Sequence, residues 1–281
     1  MKKILSFLLA FCMIFGSVLL SSCAYDQDTS STSSTSSESS TSSTEGSAVT
    51  SEQARLLSSA VEKVENAEKY SARLSVVVNL GMGETTVAIP LTIDMAVKNA
   101  KSENPIFYAT SKLVLLGQTT KNEVYCDGAW NYISSAQGNY KAKIEDSLEY
   151  DYVGDIQNVV KELPEDALAL AGFKIDKDGT TEISVSLSDA LFEQIFKDAI
   201  DSVKDIGYED IGDMKISKGT VKIAIDKTGA IKYYQLNFNL KMTVEEIETS
   251  SSVQMKLEFK DFGEITVVNP IEGYESFKEL T

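Results

Sequence analysis

The stretch YSARLSVVVNLGMGETTVAIPLTIDMAV, residues 70–97, decides the fold of this chain. Apolar residues alternate with mostly polar neighbours, and the alternation resumes after the Gly81-Met82-Gly83 turn. A period of two places alternate side chains on one face of a β-strand. The stretch therefore predicts two long antiparallel strands that share one apolar face, formed by Ala72, Leu74, Val76, Val78, Leu80, Val87, Ile89, Leu91, Ile93, Met95 and Val97.

Pro90 interrupts the second of these strands. Proline has no backbone N–H to donate to a neighbouring strand, so within sheets it is confined to edges and bulges. We therefore expect the second strand to lie at an edge, or to be bulged, at Pro90.

The same alternation recurs along the rest of the chain. Two or three strands are predicted within residues 106–133, the last with Trp130 and Tyr132 on one side. Two Asp-Lys-x-Gly sequences, residues 176–179 and 226–229, are typical of hairpin turns. Alternation predicts further strands at Ile183, Val185 and Leu187; at Val221, Ile223 and Ile225; at Tyr234, Leu236, Phe238, Leu240 and Met242; at Val253, Met255, Leu257 and Phe259; and at Ile265 and Val267.

Three segments have helical periodicity instead. The first begins at Thr50, which forms a capping box with Gln53, and runs to about Lys69. The second covers residues 155–163 and ends before Pro164. The third, residues 191–203, is the most strongly amphipathic, and we expect Ser188 or Asp189 to begin it.

About ten to eleven amphipathic strands and three helices predict an α+β fold. Its single large antiparallel sheet needs cover for the apolar face. We predict a strongly curved half-barrel with two helices as a lid on the concave face. Such a half-barrel either fills itself with side chains or leaves a hydrophobic cavity. The candidate cavity residues are Val87, Ile89, Leu91, Ile93, Phe192, Phe196, Leu236 and Phe238.

Composition narrows the function. The chain carries 42 acidic and 26 basic residues, a net charge of −16, which repels nucleic acid and anionic lipid headgroups. It contains no histidine, and this removes the commonest catalytic base and zinc ligand. No phosphate-binding glycine loop is present either. We therefore expect no enzymatic activity, no metal and no cofactor.

Two local patterns that suggest chemistry have simpler explanations. In a calcium loop with Gly179 at position 6, Val185 would stand where a carboxylate is required, so residues 176–179 are predicted to form only a β-turn. Tyr108 and Lys112 have the spacing of a dehydrogenase dyad, but they lie in a predicted strand with no nucleotide-binding fold around them.

The N-terminus resembles the signal peptide of bacterial lipoproteins. Met1-Lys2-Lys3 precedes an apolar run, and Leu20-Ser21-Ser22-Cys23 matches the lipobox of that class. The resemblance implies cleavage after residue 22 and modification of Cys23 by lipid such as palmitate, which anchors the chain to the extracytoplasmic face of the cell membrane. The alternative is an ordinary secretory signal that happens to be followed by a cysteine.

The segment after Cys23 is predicted to be a flexible tether, residues 23–50. Residues 29–44 are all serine or threonine except Glu38, so nothing apolar offsets the entropy of ordering them. O-glycosylation that stiffens the tether is an alternative. The globular domain then covers residues 51–281. Its one cysteine, Cys126, allows no intrachain disulfide and is expected to be a small buried strand residue.

Several segments together resemble the LolA/LppX-type lipoproteins, and more narrowly an uncharacterised Gram-positive lipoprotein group with that fold. They are the lipobox, the tether, the leading helix before YSARLSVVVNL, then VYCDGAWNYI, IDKTGAIKYYQLNFNLKM and ITVVNPIEGYE. The resemblance covers residues 52–274. It implies an eleven-stranded half-barrel with a helical lid that carries or senses a lipid or other hydrophobic molecule.

Two functional hypotheses therefore stand at this point. In the first, the domain is a monomeric carrier of a hydrophobic ligand at the membrane. In the second, it is a ligand-free interaction module that holds a protein or cell-wall partner there. A substrate-binding component of an importer also fits lipidation, but it would require alternating strands and helices, which the long strand series does not show.

Overall fold

A computed structural model describes residues 51–82, 85–102, 104–115, 117–143, 163, 168, 171–192, 194, 215–244, 247–262 and 268–279 of the 281-residue chain. Several predictions concern residues outside these ranges: the signal peptide 1–22, the tether 23–50, Phe196, the strand at Ile265 and Val267, and most of the helices predicted at 155–163 and 191–203.

The described residues contain helix α1 (Ser51–Glu65), a helical segment at 189–192 and 194, and twelve strands. The strands are β1 (Lys69–Met82), β2 (Thr85–Lys98), β3 (Ile106–Leu115), β4 (Gln118–Cys126), β5 (Trp130–Ser135), β6 (Gly138–Lys143), β7 (Gly172–Ile175), β8 (Thr181–Ser186), β9 (Lys215–Ile225), β10 (Ile231–Val244), β11 (Ile247–Phe262) and β12 (Lys278–Glu279).

All twelve strands belong to one open, curved sheet. Their order is β12-β6-β5-β4-β3-β2-β1-β11-β10-β9-β8-β7, and every neighbouring pair is antiparallel except β12 and β6. Strand β1 pairs along its length with β2 on one side and with β11 on the other. The predicted single curved antiparallel sheet is confirmed, and the described residues contain twelve strands where ten to eleven were expected.

The predicted hairpin of residues 70–97 forms β1 and β2. Val76 pairs with Leu91, and Leu74 pairs with Ile93, so the apolar residues of both strands lie on one face. Pro90 stands opposite Val77, and the pairing of β2 with β3 begins only at Leu91. Pro90 therefore lies where β2 has a partner on one side alone, as its missing N–H requires.

Helix α1 covers one end of the apolar face. Leu57, Ala60, Val61 and Val64 recur at helical spacing and are all buried in the main hydrophobic cluster. The Lys63 ammonium donates to the carbonyl of Thr228 over 2.8 Å, which ties the helix to the β9–β10 turn. The helix ends at Glu65, four residues before the predicted end, because β1 begins at Lys69.

Both Asp-Lys-x-Gly sequences form the predicted hairpin turns. Gly179 and Gly229 have φ values of 83° and 75°, a left-handed conformation that glycine adopts without steric cost. In the second turn, one carboxylate oxygen of Asp226 accepts hydrogen bonds from the backbone N–H groups of Thr228 and Ala230, at 2.8 and 3.0 Å. These turns bring β7 beside β8 and β9 beside β10.

A smaller aromatic cluster covers part of the opposite, outer face of the sheet. Tyr125 and Tyr132 are neighbours on β4 and β5, with ring centroids 5.8 Å apart. Tyr274 and Phe277, which follow in residues 268–279, pack edge-on against Tyr132 at 4.8 and 6.2 Å. The C-terminal segment therefore closes over β4 and β5 and ends as β12 beside β6. The alternation of apolar residues in the sequence does not predict this segment.

Candidate functional site

The concave face carries seven of the eight predicted cavity residues, and Phe196 is outside the described residues. Val87 is partly buried. The other six belong to one continuous cluster of buried side chains: Ile89, Leu91, Ile93, Phe192, Leu236 and Phe238. The strand residues among them come from β2 and β10, which flank the neighbouring strands β1 and β11.

Cross-strand register places these residues in transverse rows. Leu91 and Leu236 stand at the ends of one row, with Val76 and Met255 between them. Ile89 and Phe238 end the next row, with Val78 and Val253 between them. Three strand spacings separate the ends of each row, about 14 Å at 4.8 Å per spacing. The rows form an apolar surface about as wide as a small lipid chain is long.

Phe192 comes from the helical segment that follows β8. The Ser188 hydroxyl accepts a hydrogen bond from the N–H of Leu191 over 3.3 Å, so Ser188 is the N-cap residue, one of the two predicted. The Phe192 ring is fully buried, and its centroid lies 5.4 Å from that of Phe238. The segment therefore places an aromatic ring against the concave face, at the position predicted for Phe192.

A β-bulge in β9 fixes this helical segment. The register between β9 and β10 shifts at Asn237 and Asn239, where Lys218 adopts a φ of 56°. The backbone N–H of Lys218 donates to the Asp189 carboxylate over 3.0 Å. A Cβ atom on Gly219 would lie 2.0 Å from Cδ2 of Phe192, so only glycine leaves room for the ring.

Tyr234 lies on the concave face but is not among the predicted cavity residues. It pairs with Leu257, and the same row continues through Leu74 to Ile93. Tyr234 is 2% exposed, and its hydroxyl has no hydrogen-bond partner among the residues that the structure describes. Burial raises the pKa of this hydroxyl far above its usual value, so it stays protonated. The sequence signal was that Tyr234, which carries a hydroxyl, stands in an alternating series whose other members are apolar.

A second concavity lies on the outer face and was not predicted. It is an open groove of about 400 Å³ that crosses the far ends of five strands, β2, β1, β11, β10 and β9. Its signal in the sequence was a set of small polar residues at the outward positions of these strands. It is lined by Asn79, Gly81, Thr86, Ser217, Lys218, Asn239, Leu240, Lys241, Ser250, Ser251 and Ser252.

The described residues offer little for covalent or metal chemistry. No group of three or more metal-ligating side chains occurs among them. Cys126 is buried in β4, its thiol donates to the carbonyl of Pro105 over 3.2 Å, and burial raises the thiol pKa. No helix in the described part of the chain has the length and apolar content of a membrane span.

Comparison with known proteins places this fold in a family. A family model matches residues 52–272, which is most of the chain and the whole of the described sheet up to β11. The chain belongs to the family of unknown function DUF6612. No curated protein matches the sequence.

Several solved structures are similar to this DUF6612 chain at low sequence identity and low TM-score. LprF from Mycobacterium bovis is 12% identical with a TM-score of 0.40, over 80% of this chain and 99% of that one. A LolA superfamily protein from Nitrosomonas europaea is 7% identical with a TM-score of 0.21, over 74% and 91%. A putative outer membrane lipoprotein-sorting protein domain from Vibrio parahaemolyticus is 10% identical with a TM-score of 0.25, over 75% and 93%. The LolA superfamily named in the predicted resemblance is thus represented among the structures to which this chain is similar.

Proposed function

We propose that this DUF6612 protein is a lipoprotein that holds a lipid or other hydrophobic ligand against the concave face of its sheet. The apolar face built by β1, β2 and β8 to β11, on which Phe192 lies, carries the proposal. Binding of this kind requires no catalytic group, since removal of apolar surface from water supplies the free energy. The protein would act as a binder and not as an enzyme.

The position of Tyr234 supports a ligand with one polar end. A buried hydroxyl without a hydrogen-bond partner costs on the order of 1–3 kcal/mol. Tyr234 is such a group within an otherwise apolar row. A ligand that places a carbonyl or carboxylate oxygen at this hydroxyl would recover that free energy, while its hydrocarbon part contacts the row that ends in Leu91 and Leu236.

The anchor is the second part of the proposal. Lipidation at Cys23, after removal of residues 1–22, would hold the domain at the extracytoplasmic face through the tether of residues 23–50. The Cys23→Ala variant should leave the membrane fraction or accumulate as the uncleaved precursor, because the lipid cannot be attached. Membrane fractionation and N-terminal mass analysis check this. A Cys23→Ala protein that is still cleaved after Ser22 and still sediments with membranes would contradict the anchor.

Native mass spectrometry tests the ligand directly. Residues 24–281, produced without the lipid and purified without detergent, should show a monomer whose mass exceeds the polypeptide mass. Extraction with organic solvent should remove the excess and release a hydrophobic compound. A matched sample exposed to lipid only after purification controls for passive uptake.

The ligand-free interaction module is the alternative, and one observation favours it. Ile89, Leu236 and Phe238 are each at most 6% exposed, as they would be in a self-packed core. If native mass spectrometry shows the bare polypeptide mass, and added lipid does not change it, the interaction module is the better account.

A further inference from the structure

We infer that the outer groove is a second binding site, for a small oxyanion of phosphate type. This site lies on the face of the sheet opposite the proposed hydrophobic site and does not depend on that proposal. Two rows of outward residues form it: Asn79, Ser252, Asn239 and Ser217 in one, and Thr86, Gly81, Ser250 and Lys241 in the next.

The charge of the groove differs from that of the rest of the chain. The whole sequence has a net charge of −16, yet the described residues that line the groove include two lysines and no carboxylate. Two other lysines of the outer face form ion pairs, Lys222 with Glu182 and Lys256 with Glu258. The Lys218 ammonium has no such ion pair within the described part of the chain. The groove can therefore attract an anion, although the net charge of the whole chain repels one.

The polar groups of the groove match an acceptor-rich ligand. Hydroxyls, amide N–H groups and ammonium groups are all hydrogen-bond donors, and a phosphate group offers several acceptor oxygens. The Asn239 amide makes no hydrogen bond to another described residue, whereas the Asn79 amide donates to the Ser252 hydroxyl over 3.1 Å. Asn239 is therefore available to donate to a ligand, and Asn79 helps to hold the groove wall.

Two backbone features create the space and place the charge. Gly81 presents no side chain in the middle of the groove, where a Cβ atom would already lie 3.1 Å from the Ser250 carbonyl oxygen. The β-bulge turns Lys218 out of the regular strand alternation, and the Asp189 carboxylate holds its backbone N–H. The ammonium at the groove is thus set by the same bulge that seats Phe192 on the concave face.

Titration of the full chain in detergent with inorganic phosphate, followed by backbone amide NMR, tests the site. We expect chemical-shift changes confined to the strands of the groove. The Kd for phosphate should be on the order of millimolar and should rise with salt concentration. Lys218→Asn should weaken binding about fivefold, the effect of one unit charge at about 4 Å in water. Asparagine tolerates the left-handed conformation, so this variant should keep the bulge.

Two further variants make the test specific. Asn239→Asp adds a carboxylate to the groove and should abolish the shifts. Lys177→Asn removes the same charge as Lys218→Asn from the β7–β8 turn and should leave the affinity unchanged. Thermal melting confirms that each variant is folded. Absence of groove shifts in the wild type at 20-fold above the expected Kd, or equal weakening by Lys177→Asn and Lys218→Asn, would overturn the inference.

The source of the phosphate is distinguished by two more probes. Glycerol 3-phosphate represents a soluble ester, and phosphatidylglycerol added to the detergent micelles, with phosphatidylcholine as the control, represents a lipid headgroup. Groove shifts with glycerol 3-phosphate alone support a soluble phosphate ester as ligand. Groove shifts only with micelles that contain phosphatidylglycerol support a headgroup. Shifts with neither probe and none with inorganic phosphate overturn the site.

Discussion

At the scale of single residues, the outer face shows how this acidic chain uses its few basic side chains. Arg73 and Asp94 stand opposite each other on β1 and β2 and form a two-pronged ion pair, with N–O distances of 2.7 and 2.9 Å. Lys260 on β11 adds a third contact to Asp94 at 3.1 Å. The pair thus links three neighbouring strands near the centre of the sheet.

This pair predicts a pH dependence of stability. The Arg73 hydrogen bond holds the pKa of Asp94 below its ordinary value of 3.8. Between the folded and the unfolded pKa the unfolded state binds more protons, so the stabilisation is complete above the unfolded value and is lost as the pH falls through the folded one. The side chains of Arg73 and Asp94 are 43% and 39% exposed, so the ion pair contributes at most about 1 kcal/mol to the free energy of unfolding.

Urea unfolding of Asp94→Asn between pH 2.5 and pH 7 checks this expectation. The variant should be less stable than the wild type at pH 7 and equally stable at the acid end. Glu272→Gln, which removes an exposed carboxylate from the turn after Ile271, serves as the control and should follow the wild type. A constant difference between Asp94→Asn and the wild type at every pH would show that the ion pair is not the cause.

At the scale of elements, the contact between the bulge of β9 and the helical segment after β8 is the feature with most consequence. Gly219 has an ordinary φ, so its lack of a side chain, and not its conformational freedom, is what Phe192 requires. Leu187 reinforces the contact, since its N–H donates to the Gly219 carbonyl over 2.9 Å. The segment that covers the concave face therefore depends on one glycine in the sheet.

A double-mutant cycle measures this dependence. Gly219→Ala should destabilise the protein by about 1–3 kcal/mol, because the new methyl group overlaps the Phe192 ring. In a Phe192→Ala background the same change should cost much less, which gives a coupling of about 1 kcal/mol or more. Gly172→Ala is the matched control, since its Cβ would meet nothing closer than 3.9 Å. Additive effects at Gly219 and Phe192 would refute the contact.

The elements also show what the sequence can and cannot predict. Strands β1, β2, β10 and β11 were predictable because each carries four to six apolar residues at a period of two, and the Asp-Lys-x-Gly turns were equally clear. Strand β6 was missed because Gly138–Lys143 contains only Tyr140 and Ala142 at such positions. Strand β12 is only two residues long, and its pairing depends on the tertiary contacts of Tyr274 and Phe277.

At the scale of the whole molecule, the sheet separates two surfaces of different character. The concave face was predictable in outline, because one-sided alternation on many strands requires a common apolar face. The outer groove was not, because its polar residues come from five strands and become neighbours only through cross-strand register. Tyr234 was missed for the reverse reason, since its local pattern is that of an ordinary core residue.

The central claim is that the concave face holds a hydrophobic ligand. Leu91 lies in the middle of β2 on this face and is 8% exposed, whereas Ala88 lies on the outer face of the same strand and is exposed. Tryptophan at Leu91 would add volume where the ligand lies, and tryptophan at Ala88 would add the same volume outside. The two variants thus form a matched pair.

The most direct test is a titration of the wild type, Leu91→Trp and Ala88→Trp with a dansyl-labelled fatty acid, with thermal unfolding measured in parallel. The account predicts saturable binding to the wild type and to Ala88→Trp, and at least tenfold weaker binding to Leu91→Trp with little change in stability, because the new side chain fills space that the ligand otherwise occupies. Absence of binding to the wild type, together with a loss of about 1–3 kcal/mol of stability in Leu91→Trp, would show a filled core and contradict the claim.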